Sequence, residues 1–174
     1  MTITFKNLFY LVLILVFSLN AINSQKLITF SGVDIEYIYG SSSTNYILTF
    51  QLPSGYTQSN IWLGFGLNKN GDMKEASVVV CTSDVKHYYN DGYRPVLFDT
   101  SNPLLGLSNT SVVFNQNTMI CRFSRDNSNS DQRYFDISKN NPYILIAYGK
   151  LNSGRKYYLT LYMIILLNKI NICF

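Results

Sequence analysis

The chain has 174 residues, of which 47% are hydrophobic and 14% are charged, and its formal net charge is +4. This balance excludes an intrinsically disordered chain, which combines low hydrophobicity with high charge, and the length suits one domain with its own core. The lysines and arginines are scattered along the chain rather than clustered, which argues against a nucleic-acid-binding protein.

The N-terminus is predicted to be a secretory signal peptide covering residues 1–24. Lys6 supplies a positive charge, Leu8–Leu19 is an almost unbroken apolar run, and Ile22-Asn23-Ser24 offers a cleavage site that ends on a small residue. An uncleaved anchor is the alternative, but the apolar run is shorter than the ~20 residues that span a bilayer. We therefore expect a secreted or extracellular protein.

Short strands separated by turn signals are predicted in the first half of the mature chain. They are Lys26–Phe30, Asp34–Tyr39 and the alternating stretch Tyr46–Leu52, with a turn-rich loop at Gly40–Asn45. The next two segments, Ile61–Leu67 and Ser77–Thr82, are the most apolar of the mature chain. They are expected to be buried on both faces or in the core of a sandwich.

The second half continues the same pattern. The predicted strands are Val85–Tyr89, Val112–Phe114, Met119–Phe123, Tyr134–Ile137 and Tyr143–Tyr148. The second and third of these flank a short polar turn and are expected to form a hairpin. Before Tyr157 no stretch keeps a helical period for three turns, so the chain is predicted to be an all-β sandwich or barrel of residues 25–156.

The C-terminal segment, residues 157–174, is unusual because Tyr157–Leu167 is apolar but too short for a confident membrane span. A final core strand is the favoured interpretation. A tail that makes peripheral contact with a membrane surface is the alternative, and an incorrectly predicted end of the gene is another.

Three cysteines are present: Cys81, Cys121 and Cys173. In an oxidising compartment two of them are expected to form a disulfide. Cys81 and Cys121 both interrupt strong strand patterns and are the favoured pair, which would add about 4 kcal/mol of stability in the chain-entropy model. Two buried thiols are the alternative. Cys173 is expected to be free or to pair with another chain.

The sequence contains one candidate modification site and no recognised catalytic motif. Asn109-Thr110-Ser111 fits the sequon for N-glycosylation and lies in a predicted loop before a strand. No Gly-x-Ser-x-Gly motif occurs, and the carboxylates do not follow a calcium-loop pattern. We therefore assign no catalytic residue and, from these patterns, no metal site.

Eight short motifs, taken in order, resemble a DOMON domain, and the similarity extends roughly from Phe30 to Gly149. The motifs are Ile61-Trp62-Leu63-Gly64-Phe65-Gly66, Gly71-Asp72-Met73, Ala76-Ser77-Val78-Val79-Val80-Cys81, His87-Tyr88-Tyr89, Gly92-Tyr93-Arg94-Pro95, Gly106-Leu107-Ser108-Asn109, Cys121-Arg122-Phe123-Ser124-Arg125 and Ile146-Ala147-Tyr148-Gly149. The pattern is most similar to the DOMON module of animal ferric-chelate reductases. The resemblance implies an immunoglobulin-like β-sandwich.

The resemblance also implies a haem site in some members, where one Met and one His ligate the iron of haem b. Met73 matches the family Met, and a thioether is a suitable soft ligand that raises the iron potential. The family His follows the segment matched by Ala147-Tyr148-Gly149, but residues 150–156 contain no His. The sole histidine, His87, is expected to be a half-exposed strand residue and not a ligand. Tyr148 and Tyr157 are the remaining candidate donors.

These observations lead to two principal hypotheses. The first is an extracellular haem b module that passes electrons to a redox partner protein and is not catalytic by itself. The second is a haem-free extracellular module that holds a sugar, a lipid or a protein in a groove lined by aromatic residues such as Trp62. A fragment of a larger reductase, without its membrane part, is a third possibility.

Overall fold

Alternating apolar and polar residues form ten strands and, within the described part of the chain, no helix is found. This architecture comes from a computed structural model that describes residues 26–30, 32–92 and 94–151. The first five strands are β1 (Lys26–Phe30), β2 (Val33–Tyr39), β3 (Ser43–Gln51), β4 (Ile61–Asn68) and β5 (Ser77–Cys81). The other five are β6 (Val85–Asp91), β7 (Arg94–Leu97), β8 (Leu107–Asn115), β9 (Thr118–Asp126) and β10 (Tyr143–Lys150).

The strands form two five-stranded sheets in which all neighbours are antiparallel. The strand order is β1-β2-β3-β9-β8 in the first sheet and β10-β4-β5-β6-β7 in the second. The inner faces of the two sheets share one apolar core, and ring contacts such as Tyr46–Phe65, 4.7 Å between centroids, join them. The prediction of an all-β sandwich is confirmed.

A disulfide joins the two sheets through this core. Cys81 in β5 and Cys121 in β9 are bonded with their Cα atoms 6.3 Å apart, and both are fully buried. The predicted pairing is therefore confirmed. The bond connects one sheet to the other rather than two strands of one sheet, so it fixes the relative position of the sandwich's two layers.

Strand β4 is buried along its whole length, as predicted from its apolar sequence. Its alternate residues Ile61, Leu63 and Phe65 point into the core between the sheets. Trp62 and the residues that alternate with them point to the outer face of the second sheet, because successive side chains of a strand lie on opposite faces. A strand covered on both sides implies that something also covers the outer face of this sheet.

Four predictions of secondary structure differ from the structure. The sequon Asn109-Thr110-Ser111 was predicted to lie in a loop before a strand, which is wrong, because it lies within β8, which begins at Leu107. Tyr134–Ile137 was predicted as a strand, which is wrong, because these residues form turns in which the Tyr134 amide donates to the Asp131 carbonyl oxygen. The predicted loop at Gly40–Asn45 is partly wrong because β3 already begins at Ser43. Strand β7 was missed because its Pro95 disfavours a strand, except at a sheet edge, where β7 lies.

Several predictions concern residues outside the described ones. These are the signal peptide of residues 1–24, the tail of residues 157–174, and the roles of Tyr157 and Cys173. Among the described residues, no helix has the length and apolar character needed to cross a membrane.

Candidate ligand-binding site

The outer face of the second sheet carries an apolar groove. Its lining residues come from four strands, β4, β5, β6 and β10, together with one residue of β7 and one of the β4–β5 connection: Trp62, Gly64, Gly66, Met73, Val78, Val80, Tyr88, Asn90, Pro95, Leu145 and Ala147. The cavity within the groove has a volume of about 30 Å³, and the whole depression, with its open mouth, measures about 520 Å³. The groove is therefore a shallow apolar depression that narrows to a space the size of one or two waters.

Glycines shape the floor of the groove, but side chains of the chain itself already occupy the space above them. A Cβ atom on Gly149 would lie 2.8 Å from the indole nitrogen of Trp62, so the indole ring rests directly on this glycine. A Cβ atom on Gly66 would lie 3.1 Å from Leu145 Cβ. Trp62 itself is only 4% exposed. The indole is thus part of the floor rather than a ring presented to solvent.

Met73 closes the groove from the side of the β4–β5 connection. This residue is 5% exposed and forms a small apolar cluster with Ala76 and Leu145, against which Val78 packs. Met73 therefore covers the outer face of the second sheet at Leu145. On β4 itself, Trp62 and Val78 cover Gly64, and Leu145 and Val78 cover Gly66, which explains why this strand is buried on both sides. An unbranched, flexible methionine side chain suits a position that must fill an irregular gap.

Two buried asparagines hold the connection that carries Met73. Asn90 Nδ2 donates to the Met73 carbonyl oxygen over 2.9 Å, and Asn68 Nδ2 donates to the Lys74 carbonyl oxygen over 2.8 Å. The Asn90 backbone also bonds to Glu75 and Ala76. The sequence pattern does not predict this role for Asn68 and Asn90, since an Asn at the end of a strand is typical of a turn.

His87 lies on the opposite face of the second sheet from Met73. Its neighbour Tyr88 lines the groove, so His87 points the other way, toward the interior between the sheets. The prediction that His87 is half-exposed is wrong, because the residue is 0% exposed. The imidazole contacts the rings of Phe98 and Tyr134, with centroid distances of 4.4 and 5.3 Å respectively. Both residues lie in distant parts of the chain.

The hydrogen bonds of His87 define a neutral imidazole. Nδ1 lies 2.7 Å from the Leu105 carbonyl oxygen, which can only accept, so Nδ1 carries the proton. Nε2 then accepts from the Ser77 hydroxyl, 2.8 Å away. Burial and, next, the positive charge of Arg125 lower the pKa of His87 to about 3. His87 is thus a satisfied interior residue and does not face the groove.

Arg125 is a fully buried cation beside this histidine. Its Nη2 atom donates to the Phe135 carbonyl oxygen over 2.7 Å and to Ser77 Oγ over 3.2 Å. Its guanidinium carbon lies 4.0 Å from the centroid of the Tyr134 ring, which is a cation–π arrangement. Arg125 therefore holds the turns around Tyr134 in place. This explains why Tyr134–Ile137, predicted as a strand, has a defined conformation although it pairs with no strand.

The groove does not present the Met and His pair that the resemblance implies for haem. Met73 supplies a thioether, but the chain's sole histidine is on the other face of the sheet. Tyr148 is also on the inner side, where it packs against Phe50 at 4.6 Å between ring centroids. Among the described residues, no group of three or more His, Cys, Asp or Glu side chains is placed to hold a metal ion.

The comparisons with known proteins agree with this architecture. The family model for the DOMON domain matches residues 35–149, which includes β4, Met73 and every other residue that lines the groove. A search of proteins with curated descriptions finds no match. Since the matched region covers well over half of the chain, this protein belongs to the DOMON domain family.

Proposed function

We propose that this DOMON domain is a haem-free extracellular binding module that takes a small apolar ligand in the groove beneath Met73. The observation that carries the proposal is the composition of the groove: apart from Asn90 and the Tyr88 hydroxyl, its lining is apolar. Apolar clefts with few polar groups are typical of small-molecule sites. Extracellular location is supported by the interior disulfide, since such bonds persist in oxidising compartments.

The groove favours an apolar ligand over a sugar. Sugars in binding sites stack on an accessible aromatic ring and exchange many hydrogen bonds, but Trp62 packs against Gly149 and is only 4% exposed. The Asn90 amide nitrogen already donates to the Met73 carbonyl oxygen. Asn90 keeps one N–H and its carbonyl oxygen, but few other polar groups line the groove. A hydroxyl-rich ligand would therefore lose more bonds to water than it regains, which is costly.

Entry of the ligand requires Met73 to move. The cavity of about 30 Å³ is too small for an organic ligand while Met73 and the other lining residues keep their present positions. Methionine has three rotatable side-chain bonds, so its side chain is able to swing aside while the asparagine contacts keep the backbone of the connection in place. The side chain then becomes one wall of the occupied groove.

A fluorescence titration tests the proposal. Trp62 is the only tryptophan of the chain, so energy transfer from tryptophan to the apolar probe N-phenyl-1-naphthylamine reports binding at the groove. We expect saturable binding by the full chain. The substitution Val78→Phe fills the groove and is expected to weaken binding at least about tenfold, equivalent to about 1.4 kcal/mol.

The matched control is Val113→Phe, the same change at a residue that is 46% exposed on the first sheet. It is expected to bind the probe as the natural chain does. Equal affinity of the Val78→Phe chain, with circular dichroism showing that both variants are folded, contradicts the proposed site.

The second candidate function is electron transfer, in which the domain binds haem b and passes electrons to a redox partner protein. One observation favours it: Met73, which has a thioether, lines the groove. Met73→Leu separates the two functions, because leucine keeps the apolar volume but removes the sulfur ligand. We expect no saturable Soret shift when haem b is titrated into the full chain. A Soret band that appears with the natural chain and disappears with Met73→Leu contradicts the haem-free proposal and supports an electron-transfer module.

A further inference from the structure

Strand β8 forms one edge of the first sheet, where among the described strands it pairs only with β9. Its outward backbone amides and carbonyls are therefore available to another strand. The strand is nine residues long, and Val113 on it is 46% exposed. A long edge strand with exposed apolar residues tends to pair with another chain unless something protects it.

The sequon Asn109-Thr110-Ser111 lies on this same edge. The register of β8 against β9 shifts between Ser108 and Ser111, which marks a bulge, and Asn109 has a positive φ of 50°. Asn109 and Ser111 are both exposed. A bulge lifts residues out of the regular ladder, so the two sequon side chains that a glycosylating enzyme must reach are accessible.

We propose that Asn109 carries an N-linked glycan and that this glycan prevents β8 from pairing with another chain. The donor is an oligosaccharide linked to a lipid pyrophosphate. A bond forms between Asn109 Nδ2 and the anomeric carbon of the first sugar, while the bond from that carbon to the pyrophosphate oxygen breaks and the lipid pyrophosphate leaves. The amide nitrogen loses one proton to a base of the enzyme and keeps the other.

The remaining amide proton has a partner already in place. Asn109 Nδ2 donates to Ser124 Oγ over 3.1 Å, and Ser124 Oγ donates in turn to Asn45 Oδ1 over 2.6 Å. A glycosylated Asn109 needs only one N–H to keep this chain of bonds. The modified side chain therefore stays anchored to the outer face of the first sheet, and the first sugar lies beside the β8 edge.

The exposed part of the edge is within reach of such a glycan. Val113 lies four residues beyond Asn109, or about 13 Å along the strand. This distance is shorter than the length of an oligosaccharide of several sugars. A hydrated sugar chain over this stretch excludes a second strand without adding charge or Pro to β8. The groove of the second sheet is elsewhere, so this inference is independent of the proposed ligand.

The test is expression of the full chain in a eukaryotic secretory system. Intact mass before and after treatment with an amidase that removes N-glycans, followed by peptide mapping, is expected to show Asn109 converted to aspartate. Light scattering after size-exclusion chromatography is expected to show a monomer when glycosylated. The treated chain and the variants Asn109→Gln and Ser111→Ala are expected to dimerise with a dissociation constant at least about tenfold lower.

Two results overturn the proposal. The absence of a glycan on Asn109 removes its basis, and an unglycosylated chain that stays as monomeric as the natural form removes the shielding role. Ser111→Ala leaves Asn109 and its bond to Ser124 unchanged, so it covers the case in which Asn109→Gln does not fold. Adding Val113→Lys to either variant is expected to restore the monomer, since a charge on an edge strand opposes pairing.

Discussion

Removal of the disulfide between Cys81 and Cys121 is expected to lower the free energy of unfolding by about 4 kcal/mol. The bond closes a long loop, with a sequence separation of 40 residues, and it joins the two sheets across the core. Without it the unfolded chain gains conformational freedom. The measurement is denaturant unfolding of the double variant Cys81→Ala/Cys121→Ala, since alanine, unlike serine, leaves no buried hydroxyl without a partner.

The double variant and the reference chain with the intact disulfide should both carry Cys173→Ser, so that no third thiol takes part in thiol–disulfide exchange. A second comparison, between the oxidised and the chemically reduced form of the Cys173→Ser chain, removes the contribution of the lost sulfur volume. Both comparisons should give losses of similar size. A change below about 1 kcal/mol in each would show that the loop is already constrained in the unfolded chain.

Acid is expected to destabilise the fold through His87. In the folded chain its pKa is lowered from 6.5 to about 3, first by burial and then by the charge of Arg125, while the Leu105 carbonyl and Asp131 act in the opposite direction. Above pH 6.5 the imidazole is neutral in both the folded and the unfolded chain, so its titration does not change the free energy of unfolding. Below it the unfolded chain binds a proton that the folded chain does not, so stability falls by about 1.4 kcal/mol for each pH unit.

Between pH 6.5 and about pH 4 this amounts to a loss of about 3 kcal/mol. The matched variant is His87→Gln, whose amide is able to bond to Ser77 and Leu105 but does not titrate. Urea unfolding of both chains across this pH range is the measurement. The variant is expected to lose less than half as much stability as the natural chain, and parallel losses in both would mean that His87 is not responsible.

Most strands of the sandwich could be predicted from the sequence, because the alternation of a strand and the residues of a tight turn are properties of neighbouring residues. The alternation in β3, the apolar run of β4 and the short turn between β8 and β9 each follow from the period-two geometry of a strand. The disulfide pairing was also predictable, since only three cysteines are present and two of them interrupt strands. By contrast, Tyr134–Ile137 has the composition of a strand, yet the contacts of Tyr134 with Arg125 hold it in turns.

The amino-acid sequence by itself determined the fold class, the cysteine pair and the sequon, and its resemblance to the DOMON family made Met73 a candidate ligand. Only the tertiary structure decided which face each side chain occupies. Met73 and His87 lie on opposite faces of one sheet, and Asn90 holds the backbone of Met73. The physical reason is that a site is made where distant strands meet, and side-chain direction across a sheet depends on register and on the loops that cover it.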